Sequence, residues 1–461
     1  MLGVQLGELL AGAPAGVDEA LDVVTGFDDA LVHGFARLGE ERAAALAALA
    51  GALAATPLGE RAGEAAEKVA AGSVSDEHLA ALAGGRAALF GAVHDALLGR
   101  LDAALGRSRA AWKPSAATAE VAGNLLGGCR VWLRELAIAG WRGVDHDLVS
   151  ASDQTLDALL AVPELRGAAV LLDGLAAELR ASCPVATMER LPVRRWADLW
   201  TRGLLLSQAG AWHGGAEPVS GRLLLLGADV HEHGTVVRVQ VHAILEPAGG
   251  SPSRLVRTSL AAAKVDTIAG PAVWRLMSGY PVLLGALAGH LSVEITDMPL
   301  LRGGDLVWKE ERARAGEAAD PFATARVRLG EALAPAVPPL DRHPVRIAEP
   351  VLVEGYTADG GSFDLGGHTL DVDLDRLPAC GPLTPELVAA SSSCLGLMRW
   401  DGGRWLLQPL AVQATVKRKP VAAHNGDWAL GPTDPKVVKA EARAGDVVAV
   451  LRERAGRLLR R

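Results

Sequence analysis

Three histidines, His231, His233 and His242, form the densest group of potential metal ligands in the chain. Residues two apart in an extended strand point to the same side, so His231 and His233 are expected to share a face. Two imidazoles so placed suit zinc or another transition metal, with His242 as a third ligand. The alternative is a polar turn at a solvent-facing tip, because the helical His-Glu-x-x-His pattern is broken by Thr235.

A second group of potential ligands is acidic. Asp371, Asp373 and Asp375 alternate along an extended segment, with His368 just upstream. Carboxylates at this spacing resemble the start of a calcium loop or an acid–base pair. Arg376 occupies the glycine position that a calcium loop needs, so the alternative is the solvent face of an edge strand, where like charges deter unwanted pairing.

Nucleophiles and phosphate loops give no complete signature. The run from Ser391 to Cys394 offers hydroxyls and a thiol, but no Gly-x-Ser-x-Gly pattern surrounds a serine, and Cys380 has no Cys-x-x-Cys partner. The chain has no Gly-Lys dipeptide and no Gly-x-Gly-x-x-Gly motif after a strand, so a P-loop and a Rossmann site are excluded. We therefore predict no cofactor and no assured catalytic residue.

Cationic side chains concentrate near the C-terminus. Lys417, Arg418 and Lys419 form one cluster, and the last predicted helix carries Arg454, Arg457 and Arg461 on about one face beside an apolar stripe. Docking of this helix on a partner or on the chain itself is favoured over a nucleic-acid arm, because the whole chain is acidic and poor in aromatic residues.

Tryptophan is over-represented among the aromatic residues, with 11 Trp against 2 Tyr and 5 Phe. Trp196, Trp200 and Trp212 lie near a predicted domain boundary, and the first two share a helical face. Packing between domains is one interpretation. The other is an exposed site for a protein partner, since Trp and Arg are enriched at such sites.

The elements that carry these residues divide the chain in two. Helical periodicity predicts helices over residues 28–56, 77–105 with a possible break at Gly84–Gly85, 116–138, 152–160, 164–182 and 194–208. Strand patterns follow, with hairpins around 231–234, 302–305 and 401–403, a Gly-rich loop over 357–367, and helical insertions over 271–291 and 385–393. A helix from about Pro435 to Arg461, with Asp434 as N-cap, closes the chain.

This pattern predicts an α+β protein with a helical domain over 1–212, a β-rich domain over 213–432 that is a sandwich or a partly open barrel, and a basic C-terminal helix over 433–461. The charge is uneven: the 461 residues carry a net charge of −8, but residues 1–110 are acidic and 417–461 are basic. Without a secretory signal, a membrane span or a disulfide framework, a cytoplasmic protein is expected.

Three segments near the predicted domain boundary resemble parts of other proteins. The stretches PVRRWADLWTRGLLL (192–206), VSGRL (219–223) and LGADVHEH (226–233) resemble an uncharacterised group of actinobacterial proteins encoded beside MoxR-type AAA+ ATPases, von Willebrand factor A (VWA) domain proteins and SWIM zinc-finger proteins. The resemblance covers about 40 residues, includes no catalytic motif, and the SWIM signature itself is absent. It implies an accessory role in an ATPase-driven assembly.

Three functions remain open from the sequence. The first is a non-enzymatic adaptor subunit of a larger complex, with an AAA+ ATPase or a VWA-domain protein as possible partners. The second is a metal-dependent hydrolase that uses His231 and His233 or the segment from Asp371 to Asp375. The third is nucleic-acid binding through the basic C-terminus.

Overall fold

The computed structural model describes residues 3–114, 123–208, 215–445 and 447–458. Helices fill its N-terminal part, two sheets fill most of the rest, and helices return at the C-terminal end. The predicted α+β organisation is confirmed. The change from helix to strand falls between Leu206 and Glu217.

The N-terminal helices follow the apolar periodicity of the sequence, and all but the first of them bury Leu and Ala side chains in one core. Their bounds are α1 (Gly3–Leu10), α2 (Val17–His33), α3 (Glu40–Leu53), α4 (Gly59–Ala70), α5 (Asp76–Leu105), α6 (Gly123–Ala139), α7 (His146–Ser150), α8 (Asp153–Leu160), α9 (Arg166–Ser182) and α10 (Val193–Leu206).

Two helix predictions need correction. The stretch over 28–56 is not one helix, because α2 ends at Gly34, which has a φ of 80° and lies against the backbone of residues 138–140. The stretch over 77–105 is one continuous helix, and Gly84 and Gly85 do not break it. Gly85 instead faces Leu53 of α3, where a Cβ would come within 2.7 Å of that side chain.

The first sheet contains six strands, and five of them pair in a closed ring. The strands are β1 (Glu217–Glu232), β2 (Val236–Pro247), β3 (Arg254–Ala263), β4 (Leu291–Leu300), β5 (Asp305–Leu306) and β6 (Ala313–Ala318). The order is β1-β2-β3-β5-β4-β6, and β4 also pairs with β1. The predicted hairpins around 231–234 and 302–305 are confirmed as β1–β2 and β4–β5.

The second sheet is open, with the order β7-β11-β12-β10-β9-β8 and β13 paired to β12. Its strands are β7 (Ala348–Glu354), β8 (Thr357–Asp359), β9 (Ser362–Leu365), β10 (His368–Val372), β11 (Ser391–Asp401), β12 (Arg404–Val416) and β13 (Lys419–His424). The predicted hairpin at 401–403 is confirmed, with Gly402 and Gly403 both at positive φ as a type I′ turn requires. The predicted Gly-rich loop is wrong, because it forms the small β8–β9 hairpin.

Helices also lie within and after the β-rich region. They are α11 (Pro281–Gly289), α12 (Pro321–Arg328), α13 (Pro385–Ala389), α14 (Pro435–Ala444) and α15 (Val447–Leu458). The predicted C-terminal helix is therefore two helices, and α14 ends before Gly445, which has a φ of 77°. Asp434 is the N-cap, since its carboxylate accepts hydrogen bonds from the backbone N–H groups of Lys436 and Val437.

Apolar packing joins these parts. The face between the two sheets is closed by α12, and at Gly227 of β1 a Cβ would come within 2.9 Å of Leu410 of β12. Helix α1 and the C-terminal part of α5 pack on the second sheet, where Leu6, Leu97 and Leu101 share one cluster with its strands. No helix among the described residues combines the length and apolar character needed to cross a membrane.

Candidate functional site

The tryptophans of α10 are core residues. Trp196 and Trp200 are completely buried, and their indole N–H groups donate to Glu178 and to the Leu133 carbonyl at 3.1 and 2.8 Å. Neither ring reaches the surface, because both lie on the helix face that packs on the N-terminal core. Both residues are therefore core residues of the N-terminal helical part and do not pack between domains, and a partner site on exposed rings of Trp196 and Trp200 is wrong. Trp212 lies outside the described residues.

The basic residues of the C-terminal region are partly described. Arg454 is exposed on α15, whereas Val448 on the same helix is buried in the core of the first sheet. Lys417 and Arg418 form the exposed turn between β12 and β13, both at positive φ. The side chain of Arg457 and all of Arg461 lie outside the described residues, so the predicted interaction role of this helix stays a prediction.

The predicted three-histidine site is only half assembled. His231 and His233 do share a side, with their Nε2 atoms 3.0 Å apart at the exposed end of the β1–β2 hairpin. His242 is elsewhere: it faces Gly227 in the pairing of β1 with β2 and is buried, whereas His231 pairs with Arg238. The use of all three as one ligand set is therefore wrong, because four rungs of the ladder separate them.

The predicted acidic strand also differs from expectation. Only Asp371 lies in β10, which runs between β9 and β12 and is not an edge strand. Asp373 and Asp375 belong to the following turn, and the carboxylates of Asp371 and Asp373 pair with Arg404 and Arg376 at 2.6 and 2.9 Å.

The two sequence motifs nevertheless meet. A cavity of about 450 Å³ is lined by His231 of the first sheet and by Asp373 and Asp375 beside the second. Within the described residues, however, this cavity holds no three ligand atoms close enough to bind one metal ion.

Cys129, Cys380, Cys394 and Ser391 offer no activated nucleophile. Burial raises the pKa of the Cys129 and Cys380 thiols to about 11 and about 12, and raises that of the fully buried Cys394 further. Ser391 donates its hydroxyl to the Val388 carbonyl at 2.6 Å. These thiols stay protonated at neutral pH and are poor nucleophiles.

A different set of ligands converges where the two sheets meet. His290, His424 and Asp427 each place a potential ligand atom within 4.8 Å of the other two, and no other such trio occurs in the parts of the chain that the structure describes. The Nε2 atom of His290 lies 2.8 Å from Oδ1 of Asp427, and Nδ1 of His424 lies 3.4 Å from the same oxygen. The two imidazole rings are 4.2 Å apart at a steep angle.

Local structure holds each of these side chains in place. His290 follows α11 in a left-handed conformation with a φ of 49°, and β4 begins at the next residue. His424 ends β13, and Oδ2 of Asp427 accepts its backbone N–H at 2.9 Å. Asn425 anchors the same turn, because its amide donates to the carbonyls of Ala228 and Pro409 on the two sheets.

The buried state of His424 distinguishes this group from an ordinary histidine–aspartate pair. Its side chain is 4% exposed, and neither ring nitrogen has a hydrogen-bond partner among the described residues. The ring of Phe322 from α12 lies 5.6 Å away and forms an apolar wall. A buried imidazole whose only polar contact is the 3.4 Å approach of Nδ1 to Asp427 carries a free-energy cost that a ligand bond would offset.

The contacts within the trio shift the pKa values of His290 and Asp427 in opposite directions. The hydrogen bond to Asp427 raises the pKa of His290. Burial raises the pKa of Asp427, but the hydrogen bond from His290 and the contact with His424 outweigh burial and hold that pKa well below its usual range. Asp427 is therefore an ionised carboxylate, the form that binds a cation.

Sequence reasoning missed this trio because its members are far apart in the chain. His290 and Asp427 are separated by 137 residues. The one feature visible in the sequence is that His424 and Asp427 lie three residues apart. No protein-family model, curated protein or solved structure matches the chain.

Proposed function

We propose that this protein binds one divalent transition-metal ion through His290, His424 and Asp427 and uses it in hydrolysis. The observation that carries the proposal is the buried imidazole of His424, which has no hydrogen-bond partner among the described residues and faces a second imidazole and a carboxylate. Zinc and ferrous iron both accept two imidazoles and one carboxylate.

The donor distances suit a single ion. Bonds of about 2.0–2.2 Å to nitrogen and oxygen place tetrahedral ligand atoms about 3.3–3.6 Å apart. The separations of 2.8 and 3.4 Å measured from Oδ1 of Asp427 lie at or slightly below that range, so small side-chain rotations are enough. The backbone N–H of His424 on the second carboxylate oxygen orients the ligand, as outer-shell groups do in metal sites.

Three protein ligands leave at least one position free, which is the pattern of catalytic sites. The side chains of His290 and Asp427 are 32% and 20% exposed, so water has access from that side. A bound metal ion lowers the pKa of water from 15.7 to about 7 and so supplies hydroxide at neutral pH. This chemistry supports the hydrolase class, and the proposal moves the metal site from His231 and His233 to His290, His424 and Asp427.

The test is metal content combined with ligand variants. Protein stripped with a chelator and reloaded with Zn²⁺ or Co²⁺ is expected to bind one ion per chain by elemental analysis. The Co²⁺ form is expected to show visible absorption bands from nitrogen and oxygen ligands. His290→Gln and Asp427→Asn should lose this ion, whereas His231→Gln is the matched control, because its ring lies at the hairpin end.

Circular dichroism on each variant separates loss of ligand from loss of fold. Both ligand variants keep the size of the side chain and lie at partly exposed positions, so they are expected to fold. The proposal is wrong if the folded wild-type chain binds no ion, or if His290→Gln and wild type bind equal amounts.

We also propose that the C-terminal region binds a protein partner in the cytoplasm, with an AAA+ ATPase or a VWA-domain protein as the candidates. The exposed Arg454 on α15 and the exposed basic turn at Lys417 and Arg418 support an acidic partner. Affinity purification from the native cell with wild type and Arg454→Glu tests this role. A partner captured equally by both proteins would argue against α15 as the contact.

A further inference from the structure

A second cavity, separate from the metal ligands, lies between α5, the two sheets and the segment before β7. Its volume is about 420 Å³, within the range of small-molecule sites. Charged side chains dominate its wall, and five of them are arginines: Arg109, Arg238, Arg257, Arg346 and Arg399.

Three of these arginines are neutralised by neighbouring carboxylates. Arg257 binds Asp305 through two hydrogen bonds of 2.7 and 3.0 Å. Arg346 binds Asp341 at 2.7 Å, and Arg109 makes a comparable two-bond pair with Asp102 at 2.6 and 2.9 Å. These three ion pairs stabilise the wall of the cavity, and their arginines are not free to bind a ligand anion.

The other two arginines have no carboxylate within ion-pair distance in the described residues. Arg399 of β11 makes one hydrogen bond, from Nη1 to the Gln408 side-chain oxygen at 3.0 Å, and Arg238 of β2 makes none. Gln408 is buried, and its amide donates to Asp229 at 2.7 Å, which fixes the oxygen that holds Arg399.

This arrangement leaves a partly buried guanidinium group short of partners. Burial, followed by the nearby Arg376, lowers the pKa of Arg399. A cation withdrawn from water without an anionic partner is costly, and a guanidinium group matches phosphate or carboxylate through paired hydrogen bonds. Arg399 and Arg238 are therefore the two arginines of this cavity that form no ion pair with the surrounding carboxylates, although Asp229 lines the same cavity.

We propose that this cavity binds a small molecule through an oxyanionic group, phosphate or carboxylate, held by Arg399 and Arg238. The volume excludes a polymer within the cavity and suits a ligand of metabolite size. The proposal is independent of the metal centre, because none of its residues is a proposed metal ligand.

Isothermal titration of the metal-free full-length chain tests the proposal, with inorganic pyrophosphate and citrate as probes of the two anion types. One of the two is expected to bind saturably at one site per chain, with a Kd below about 10 mM. Arg399→Met should raise that Kd by about tenfold or more, since a charge-assisted pair is lost. Arg238→Met, at an exposed position that does not threaten the fold, should raise it by at least about threefold.

Arg404→Met is the matched control. Arg404 lies on the adjacent strand β12, pairs with Asp371 outside the cavity, and its removal should leave the Kd within about twofold of wild type. His290→Gln should also bind the anion as wild type does. Absence of saturable binding by either anion, or an unchanged Kd in folded Arg399→Met and Arg238→Met, would overturn the proposal.

Discussion

Acidification should destabilise the folded chain through His242, a histidine buried between the sheets. Burial, followed by the neighbouring Arg257, lowers the pKa of His242 from 6.5 to about 4. Asp229 and Glu349 oppose this shift but do not cancel it. The side chain is 3% exposed, and its Nε2 atom has no hydrogen-bond partner among the described residues.

The sign follows from proton binding. Between pH 6.5 and 4 the unfolded chain protonates this imidazole and the folded chain does not, so the free energy of unfolding falls as the pH falls through that window. The full difference corresponds to about 3 kcal/mol for this one group. The loss is complete near the folded pKa, and this group contributes no further change below it.

Urea-induced unfolding of wild type and His242→Gln at a series of pH values between about 7 and 4 measures the effect. The uncharged variant should lose about 3 kcal/mol less than wild type over this range, because glutamine does not titrate. His146→Gln, at an exposed position at the start of α7, should follow the wild-type profile. Parallel profiles for wild type and His242→Gln would refute the reasoning.

Three further predictions concern backbone packing, a buried ion pair and a helix cap. Gly34→Ala should cost about 3 kcal/mol or more in thermal or urea unfolding, because φ is 80° and the new Cβ would lie 2.4 Å from a backbone oxygen. Gly174→Ala, in open space within α9, should instead add about 0.5–1 kcal/mol, and an equal loss in both would contradict the packing argument. Arg86→Met should cost about 3 kcal/mol, because the buried Asp28, bonded to Arg86 at 2.6 and 3.1 Å, would keep only the partly exposed Arg194, at 3.0 Å, as an ion-pair partner. Adding Asp28→Asn to Arg86→Met should restore part of the lost stability, because it removes the buried carboxylate charge. A double variant no more stable than Arg86→Met would contradict this explanation. Asp434→Ala should weaken α14 by about 1 kcal/mol, seen as faster amide exchange confined to that helix.

Local signals in the sequence were sufficient for much of the fold. The Asp-Gly-Gly stretch that begins at Asp401 predicted the β11–β12 hairpin because the turn needs positive φ at two glycines. Val237, Val239 and Val241 alternate along β2 and are all buried, as the period of two in an extended strand requires. Such features depend on neighbouring residues, so they can be read from the sequence.

The features that the sequence did not predict depend on contacts between residues far apart in the chain. Gly34 ends α2 because of its approach to residues 138–140, and nothing within the 28–56 stretch specifies that approach. The trio of His290, His424 and Asp427 has the same cause, since strand pairing and α11 bring its members together over 137 residues. His231 and His233 were predicted as metal ligands because they are close in sequence, whereas a set of metal ligands must be close in space.

The shared core of α1, α5 and the second sheet has a consequence for synthesis of the chain. Leu6 and Leu97 leave the ribosome long before Val351 and Leu407, the strand residues that will cover them. Their apolar surfaces therefore remain exposed while at least about 250 further residues are translated. Likewise, a fragment that begins at β1 would present the bare face of the second sheet to solvent and would be prone to aggregate.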